Sequence, residues 1–438
     1  MNKKPKIVIV AGGLATRMNP ITQNIPKCLI DVNGTPLIEH QIIYFKDRGY
    51  VDFVFCVAHL AGEVRKYFGN GSKFGVNIEY SQEPKDLLGS AGAVKLIENF
   101  VDESIIIFYG DNLTSLDFDK MLNFHKDKKS KFTVFLRKKP EDYKGSSLVV
   151  LDDTNRIKTF IERPSEEELE ANKKQESYIN NGIYIMEPEI FHKIPRDMKY
   201  DFGKDLIPEL LKDNLDVYGY YSDDFFVELG RVEKYQKFID NFKGRKKVLD
   251  PIIAIFLDRD GVINRNLENI VNPDQFELLD GAPEAIKKIN DSGFLTVIAT
   301  NQPIISKGFL TFDGLNLIHN KMHFELNKYG AHIDAIYVCP HHPEKGFHGE
   351  VPELKFGCNC RKPKPGLVLN AIKDLNIEKT NSWMIGDSMT DIIAGKKAGL
   401  ETVLLSSDGE YIKNIDGQTP EKPDFIYRNL LEAIKNIL

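Results

Sequence analysis

Residues 252–264 read IIAIFLDRDGVIN, and residues 6–18 read KIVIVAGGLATRM. Each stretch is an apolar, β-branched run that passes directly into a loop of small or acidic residues, as a buried strand does when it enters a ligand-binding loop. Helical patterns separate further apolar runs at residues 54–57, 105–108, 296–299 and 402–405. This alternation predicts an α/β protein with mostly parallel sheets covered by helices, and with ligands at the carboxyl ends of the strands.

The length of 438 residues is more than one domain ordinarily holds. Because each of the two strand–loop stretches opens its own series of strands and helices, we expect two Rossmann-like three-layer α/β domains. A helical pattern at residues 233–242 runs into the basic stretch KGRKKVLDP at residues 243–251, which we interpret as a solvated linker. The predicted domains are residues 1–245 and 250–438.

Composition and charge limit the class of partner. Hydrophobic residues make up 42% of the chain and charged residues 28%, as in soluble globular proteins. A net charge of −6 disfavours nucleic acid or an anionic membrane as a partner. The apolar run at residues 7–11 is too short for a secretory signal, and no window approaches the roughly 18 apolar residues of a membrane span. We therefore expect a cytoplasmic monomer or small homo-oligomer.

Four stretches of the C-terminal half carry groups suited to phosphate chemistry: DRDG at 258–261, TNQ at 300–302, RKP at 361–363 and GDSMTD at 386–391. Two carboxylates two residues apart at a strand end can both face one magnesium ion once the backbone turns. Phosphoryl transfer to a carboxylate needs that metal, because two anions must otherwise meet. A hydroxyl, an amide and a lysine can then neutralise the phosphate oxygens. A lone DxDG is often only a turn or helix cap, but four motifs in this order favour a catalytic site.

The order and residue set of these stretches resemble the haloacid dehalogenase phosphatases, which implies a fold of that type for the second domain. The resemblance implies that Asp258 is the nucleophile and that Asp260 acts as general acid and then as general base. It implies that the phosphoryl group and the rest of the substrate are bound by Thr300, Asn301, Arg361 and Lys362. It implies that Mg²⁺ is bound by Asp258, Asp260 and Asp387, with support from Asp391.

A separate motif in the same half indicates zinc. Cys339-Pro-His341 and Cys358-Asn-Cys360 supply four soft or borderline ligands, enough for a closed tetrahedral Zn²⁺ site. Three of the five cysteines fall within residues 339–360, which favours a metal site in a reducing compartment over a disulfide framework. The site would be structural and would orient the loop that carries Arg361 and Lys362. Buried free thiols are the alternative, and His342 is a competing ligand.

With this zinc-type loop, the stretches DRDGVIN, ATNQ and CRKPKPG resemble the D-glycero-D-manno-heptose 1,7-bisphosphate 7-phosphatases over roughly residues 252–410. The histidinol-phosphatases share the loop and are the alternative. Two positions depart from the first family: Pro303-Ile304 stand where Ser-Gly is usual, and Ser388 stands where Lys is frequent. Either departure could change which phosphate ester is preferred.

Residues 11–38 read AGGLATRMNPITQNIPKCLIDVNGTPLI. A glycine turn after a buried strand lets backbone N–H groups approach phosphates, and Arg17 and Lys27 supply positive charge. The string resembles the sugar-1-phosphate nucleotidyltransferases over roughly residues 5–240, which implies in-line attack of a sugar 1-phosphate on the α-phosphorus of a nucleoside triphosphate. The resemblance makes Arg17 and Lys27 catalytic and assigns the nucleotide to Ala11, Gly12, Gly13 and Arg17. Ala15 replaces a usual glycine, so the loop must adjust if that position requires a positive φ.

Later positions match the same family in order. The resemblance makes Asp111, in FYGD, a magnesium ligand, and Glu228 the second ligand where the family commonly has Asp. In FIERP it places Glu162 on the sugar hydroxyls and Arg163, in place of the usual Lys, on the sugar phosphate. It places the sugar above the strand that carries Asn181 and Gly182.

The stretches SQEP at 81–84 and LGSAG at 88–92 resemble the loop that reads the base in that family, and Gly89 belongs to it. A carboxylate at Glu83 could accept from N1–H and N2–H₂ of guanine together, and it would be repelled by the acceptor at N1 of adenine. If the register slips by one residue, Gln82 would instead read uracil or thymine. We favour guanine and therefore GTP.

Two activities joined on one chain suggest consecutive steps. The phosphatase would remove the 7-phosphate of a heptose 1,7-bisphosphate, and the transferase would couple the remaining 1-phosphate to GMP from GTP, giving GDP-heptose and pyrophosphate. This pairing rests on reaction order and not on any residue. One alternative is a transferase for mannose or another hexose 1-phosphate with a histidinol-phosphatase. Another is that one domain is catalytically silent and regulatory, and the transferase domain is the candidate because of Ala15 and Glu228.

Overall fold

The computed structural model of the chain describes residues 4–84, 87–139, 147–172, 175–267, 269–407 and 421–438. The chain divides into two compact units, Met1–Leu249 and Asp250–Leu438, referred to below as unit 1 and unit 2. Among the helices in the described ranges, none is both long enough and apolar enough to cross a bilayer.

Unit 1 is built around a nine-stranded sheet. The strands of the unit are β1 (Ile7–Val10), β2 (Asp31–Val32), β3 (Thr35–Pro36), β4 (Asp52–Val57), β5 (Asn77–Gln82), β6 (Ile105–Tyr109), β7 (Asn112–Thr114), β8 (Phe132–Lys138), β9 (Ser147–Leu151), β10 (Ile157–Glu162), β11 (Ser177–Met186), β12 (Val217–Tyr221) and β13 (Phe226–Glu228). Its helices are α1 (Leu37–Lys46), α2 (Ala61–Phe68), α3 (Gly89–Lys95), α4 (Phe118–Asp127), α5 (Glu166–Ala171), α6 (Ile207–Lys212) and α7 (Val232–Asn241).

The main sheet of unit 1 is mixed. Strands β6, β1, β4 and β5 are parallel neighbours, and β11 continues the sheet antiparallel to β6. Strands β9 and β10 pair antiparallel because only residues 152–156 join them, and a short link can connect only antiparallel neighbours. The prediction of mostly parallel strands therefore describes the half of the sheet that carries the glycine loop. Ile7 and Ile9 face one core and Val8 the other, so both faces of the sheet are buried.

Unit 2 has one six-stranded sheet in the order β16-β15-β14-β17-β18-β19, and every neighbouring pair is parallel. The strands are β14 (Ala254–Leu257), β15 (Leu295–Asn301), β16 (Ala335–Cys339), β17 (Trp383–Gly386), β18 (Glu401–Leu405) and β19 (Phe425–Tyr427). The helices are α8 (Ala282–Asp291), α9 (Phe312–Asn327), α10 (Gly366–Leu375), α11 (Met389–Ala398) and α12 (Leu430–Ile437). Alternate residues of β14 enter two separate cores, one on each face of the sheet. The predicted α/β class is confirmed.

Candidate active sites

Two neighbouring parallel strands of unit 2 and the helix α11 bring acidic residues together at one edge of the sheet. Asp258 follows β14, and Asp387 follows the neighbouring strand β17. Ligand oxygens of Asp258, Asp387 and Asp391 all lie within 4.8 Å of one another. Gly261 has a φ of +80°, and a Cβ at this position would collide with the Asp387 carboxylate, so the turn after Asp258 packs directly on that acid.

A buried lysine completes this cluster. The Lys362 side chain is 1% exposed, and its Nζ lies 3.0 Å from Asp258 Oδ2 and also bonds to Asp391. Burial raises the pKa of Asp258 to about 7 against the opposing charge of Lys362. Burial disfavours the charge on Lys362, but the carboxylates of Asp258 and Asp391 outweigh it and raise the lysine pKa. Three carboxylates around one ammonium leave negative charge, which fits a hard divalent cation such as Mg²⁺.

The carboxylate of Asp260 lies outside that group of three acids. It accepts hydrogen bonds from the side chains of Arg259, Asn264 and Gln302. The sequence interpretation did not assign these three residues. A charged residue between two predicted catalytic acids was the signal that could have drawn attention to Arg259. The predicted role of Asp260 as a metal ligand stays a prediction.

Of the predicted substrate-binding residues of unit 2, Asn301 contacts Lys362 directly. The side-chain amide of Asn301 forms two hydrogen bonds with the backbone of Lys362. Its Oδ1 accepts from Lys362 N at 3.1 Å, and its Nδ2 donates to Lys362 O at 3.1 Å. Thr300 is buried, and its Oγ1 accepts from Gln302 Nε2 at 3.0 Å. Arg361 Nη1 donates to His341 O at 3.4 Å. Asn301 thus orients the loop of Lys362 in addition to any contact with substrate.

The four predicted zinc ligands converge on one point. The sulfurs of Cys339, Cys358 and Cys360 are 3.2–3.5 Å apart in pairs, and His341 Nδ1 lies 3.3 Å from Cys360 Sγ and 3.7 Å from Cys339 Sγ. Ligands on a tetrahedron about zinc, with Zn–S bonds of about 2.3 Å, would be separated by about 3.8 Å. Burial lowers the pKa of His341, so the imidazole is neutral and its nitrogen can donate a lone pair. The residues fit a zinc ion.

The glycine loop of unit 1 follows β1 and contains a strained residue. Ala15 has a φ of 51°, in the left-handed region that glycine adopts more readily. Its carbonyl accepts from Met18 N and from Thr22 Oγ1, both at 2.9 Å, so the loop is held in this shape. The loop therefore accommodates alanine at this position by a left-handed backbone conformation of Ala15 itself.

Positive and negative side chains meet next to this loop. Lys27 pairs with Asp111, and Arg17 Nη2 lies 4.0 Å from Glu228 Oε1. Strand β13 pairs with β7, and Leu229 N donates to Asp111 O at 2.9 Å, which brings Glu228 to the same end of the unit as Asp111. Glu228 Oε2 also accepts from Lys234 Nζ at 2.8 Å. Burial opposes the charge of Glu228, but these cations dominate and lower its pKa.

The residues predicted to bind the sugar lie at the end of β10, directly after it, and on β11. Burial raises the pKa of Glu162, and a Cβ at Gly203 would come within 2.8 Å of its Oε2. Gly182 has a φ of 69° at a bulge in β11 and packs against the Tyr109 ring. The carbonyl of Asn181 accepts from Asn112 Nδ2 at 3.0 Å. Arg163 is exposed and also adopts a positive φ, of 55°.

The structure distinguishes the two candidate base readers. Gln82 is exposed at the end of β5, whereas Glu83 is buried. Glu83 Oε2 accepts from Leu88 N at 2.9 Å, and its Oε1 lies against Gly12, where a Cβ would collide with it. Burial raises the pKa of Glu83. Glu83 thus joins the glycine loop to the segment that contains Gly89, which also has a positive φ, of 74°.

Residues 6–243 match the family model described as nucleotidyl transferase, and residues 359–433 match one described as HAD-hydrolase-like. A UTP--glucose-1-phosphate uridylyltransferase from Synechocystis sp. is 36% identical over 253 residues, which are 55% of this chain but only 64% of that relative's length. A D-glycero-beta-D-manno-heptose-1,7-bisphosphate 7-phosphatase from Pasteurella multocida is 41% identical over 185 residues, 42% of this chain and 96% of the relative. The crystal structure of HddC from Yersinia pseudotuberculosis is 22% identical, covers 55% of this chain and 100% of that chain, and has a TM-score of 0.47.

Proposed function

Because the chain belongs to the nucleotidyl transferase family, and its C-terminal unit belongs to the family of D-glycero-beta-D-manno-heptose-1,7-bisphosphate 7-phosphatases, we propose that it catalyses two consecutive steps of sugar-nucleotide synthesis. Unit 2 removes the 7-phosphate of D-glycero-D-manno-heptose 1,7-bisphosphate. Unit 1 then transfers GMP from GTP to the heptose 1-phosphate, giving GDP-heptose and pyrophosphate. The observation that carries the proposal is the cluster of Asp258, Lys362 and Asp391 in a unit that matches nearly the whole length of the phosphatase relatives.

In unit 2, a carboxylate oxygen of Asp258 attacks phosphorus, and the sugar oxygen leaves with a proton from Asp260. Water then cleaves the aspartyl-phosphate and gives a proton to Asp260. The Lys362 ammonium, held between Asp258 and Asp391, neutralises a phosphate oxygen. A magnesium ion held by Asp258 and Asp387 would supply the charge that lets two anions meet. A structural zinc ion held by the Cys₃His set would fix the loop of Arg361 and Lys362.

Charge favours a bisphosphate over histidinol phosphate as the substrate of unit 2. Lys307 Nζ and Lys355 Nζ lie 4.7 and 4.6 Å from the centre of the same Phe347 ring, and Lys355 pairs with Glu350 at 3.4 Å. Both lysines and Arg361 act on His342, whose pKa is lowered by its burial and then by these charges. These cations are grouped around His342, and one of them, Arg361, is next to Lys362 in the chain. Such a group suits a second anionic group on the substrate, whereas histidinol carries a cationic amine that it would repel.

In unit 1, an oxygen of the sugar 1-phosphate attacks the α-phosphorus in line with the departing pyrophosphate. Arg17 and Lys27 bind the triphosphate beside the glycine loop, and Glu162 accepts from sugar hydroxyls. A magnesium ion held by Asp111 and Glu228 would neutralise the phosphates. Glu83 reads guanine through the oxygen that lies beside Gly12. The thiolate set of unit 2 fits a reducing compartment, and we propose that both reactions take place in the cytoplasm.

A second candidate for unit 1 is transfer of UMP to a hexose 1-phosphate. It is favoured by the 36% identity with a protein that is named a uridylyltransferase. A carboxylate cannot donate to the carbonyl oxygens of uracil, so the two candidates differ in the role of Glu83.

The deciding experiment incubates the full chain with heptose 1,7-bisphosphate and each of the four nucleoside triphosphates. Inorganic phosphate, pyrophosphate and the nucleotide-sugar are measured separately. We expect phosphate release with every nucleotide, and GDP-heptose with GTP only. Asp258→Asn should abolish phosphate release, and Lys27→Ala should abolish pyrophosphate release. No phosphate from the bisphosphate would refute the substrate of unit 2, and phosphate release without pyrophosphate from any nucleotide would refute heptose 1-phosphate as the substrate of unit 1.

A further inference from the structure

Arg259 stands between the two catalytic acids of unit 2 in sequence, yet its side chain cannot reach a substrate. It is 1% exposed and is the largest of the fully buried side chains among the described residues. A guanidinium is buried only when its charge is compensated and its N–H groups have acceptors. The partners of Arg259 therefore indicate its role.

The main partner is the neighbouring carboxylate. Arg259 Nε donates to Asp260 Oδ1 at 3.1 Å, and Nη2 donates to Oδ1 and Oδ2, both at 2.9 Å. This fork of donors fixes the plane of a carboxylate as well as its position. Asn264 Nδ2 at 2.9 Å and Gln302 Nε2 at 2.8 Å complete the set around Asp260.

The outer edge of the guanidinium is fixed by α9. Arg259 Nη1 lies 3.5 Å from His319 Nε2, which can accept because the imidazole is neutral. Burial first, and then the charge of Arg259, lowers the pKa of His319 to about 4. His319 is itself buried. Contacts from His319 to Arg259 and from Arg259 to Asp260 therefore link the packed face of α9 to the Asp260 carboxylate.

We propose that Arg259 is a positioning residue that holds the Asp260 carboxylate where the leaving sugar oxygen takes its proton. This inference rests on the proposed phosphatase reaction of unit 2. A proton donor that is displaced by about 1 Å loses on the order of 100-fold in rate. An alkoxide leaving group needs that proton, whereas p-nitrophenolate is stable without it.

The test compares kcat/KM for an alkyl phosphate with kcat/KM for p-nitrophenyl phosphate, because kcat/KM covers only the steps up to departure of the alcohol. Arg259→Lys keeps the charge but loses the fork. We expect the alkyl-to-aryl ratio to fall by about 20-fold or more in this variant. Arg265→Lys is the matched control, because the Arg265 side chain is exposed and lies 3.5 Å from the exposed carboxylate of Glu277. The ratio of this control should not change.

Two further variants separate positioning from loss of structure. Asp260→Asn should lower the same ratio, and adding Arg259→Lys to it should cause no further fall, because the positioned group is already gone. If thermal unfolding shows that Arg259→Lys does not fold, the alkyl-to-aryl ratio is measured in His319→Leu, in which Arg259 is intact. We expect the ratio to fall several-fold in this variant. Equal losses on both phosphates, or an unchanged ratio in the folded variants, would overturn the inference.

The substrates keep this inference separate from the proposed function. β-Glycerophosphate serves as the alkyl phosphate if the wild-type chain does not hydrolyse heptose bisphosphate. In that case the proposed sugar is wrong, but the ratio still tests Arg259. If Asp258→Asn hydrolyses both phosphates as fast as wild type, the phosphatase assignment itself fails.

Discussion

His319 should make the stability of unit 2 sensitive to acid, because its buried imidazole is neutral in the folded protein. The folded-state pKa is about 4 and the ordinary value is 6.5, with burial as the main cause and the charge of Arg259 as the next. A depressed histidine pKa means that the unfolded chain binds more protons between these values. The stability present above about pH 6.5 is therefore lost as the pH falls toward 4.

The size of the effect follows from the shift. A difference of about 2.5 pH units at about 1.4 kcal/mol per unit corresponds to roughly 3 kcal/mol by pH 4. His319→Gln keeps an acceptor for Arg259 and removes the titration. Relative to this variant, the wild-type chain should lose roughly 3 kcal/mol of unfolding free energy between pH 7 and pH 4. Other titrating groups are the same in both proteins, so the difference isolates His319.

Trp383 makes the measurement specific to unit 2, because it is the single tryptophan of the chain and lies in β17. Urea unfolding followed by its fluorescence gives the free energy at each pH. His348→Gln, at an exposed histidine of the same unit, is the control and should follow the wild type. Parallel pH dependences for wild type and His319→Gln would refute the burial of a neutral imidazole beside Arg259.

Three further predictions concern the loops. Cys358→Ala should remove most of the bound zinc measured by atomic absorption, and it should lower phosphatase activity while nucleotidyl transfer is retained; normal zinc content would contradict the ligand set. Ala15→Gly should raise the unfolding free energy of unit 1 by about 0.5–1 kcal/mol, because relief of a left-handed alanine exceeds the added chain entropy; a loss of stability in urea would show that the loop is unstrained. Glu83→Gln should reduce the preference for GTP over UTP by about tenfold in pyrophosphate release, and an unchanged preference would remove Glu83 from base recognition.

Much of the architecture could be predicted because it follows from local sequence patterns. An apolar run that ends in DRDG or AGG marks a buried strand and its carboxyl-end loop, and parallel strands bring such loops together wherever they lie in the chain. The zinc-type residues were also recognisable, since Cys-x-His and Cys-x-Cys fix the spacing within each pair. The fold determines only that the two pairs come together, although Cys339 and Cys358 are 19 residues apart in the sequence.

Other features depended on contacts between distant residues. The short link between β9 and β10 makes part of the unit 1 sheet antiparallel. Asn301 matched a substrate-binding position, but its amide also holds the peptide of Lys362, 61 residues away. Glu228 matched a metal ligand, and only the packing of α7 showed that Lys234 pairs with it.

The stretch IIAIFLDRDGVIN by itself determined that a buried strand delivers Asp258 and Asp260 to the edge of a parallel sheet, because periodicity and residue type are local properties of the chain. It did not determine that the arginine between these acids turns inward. That orientation depends on the burial of Arg259 against His319 of α9 and on donors from Asn264 and Gln302 around Asp260. Only the tertiary structure decides where a charged side chain finds enough partners to leave water.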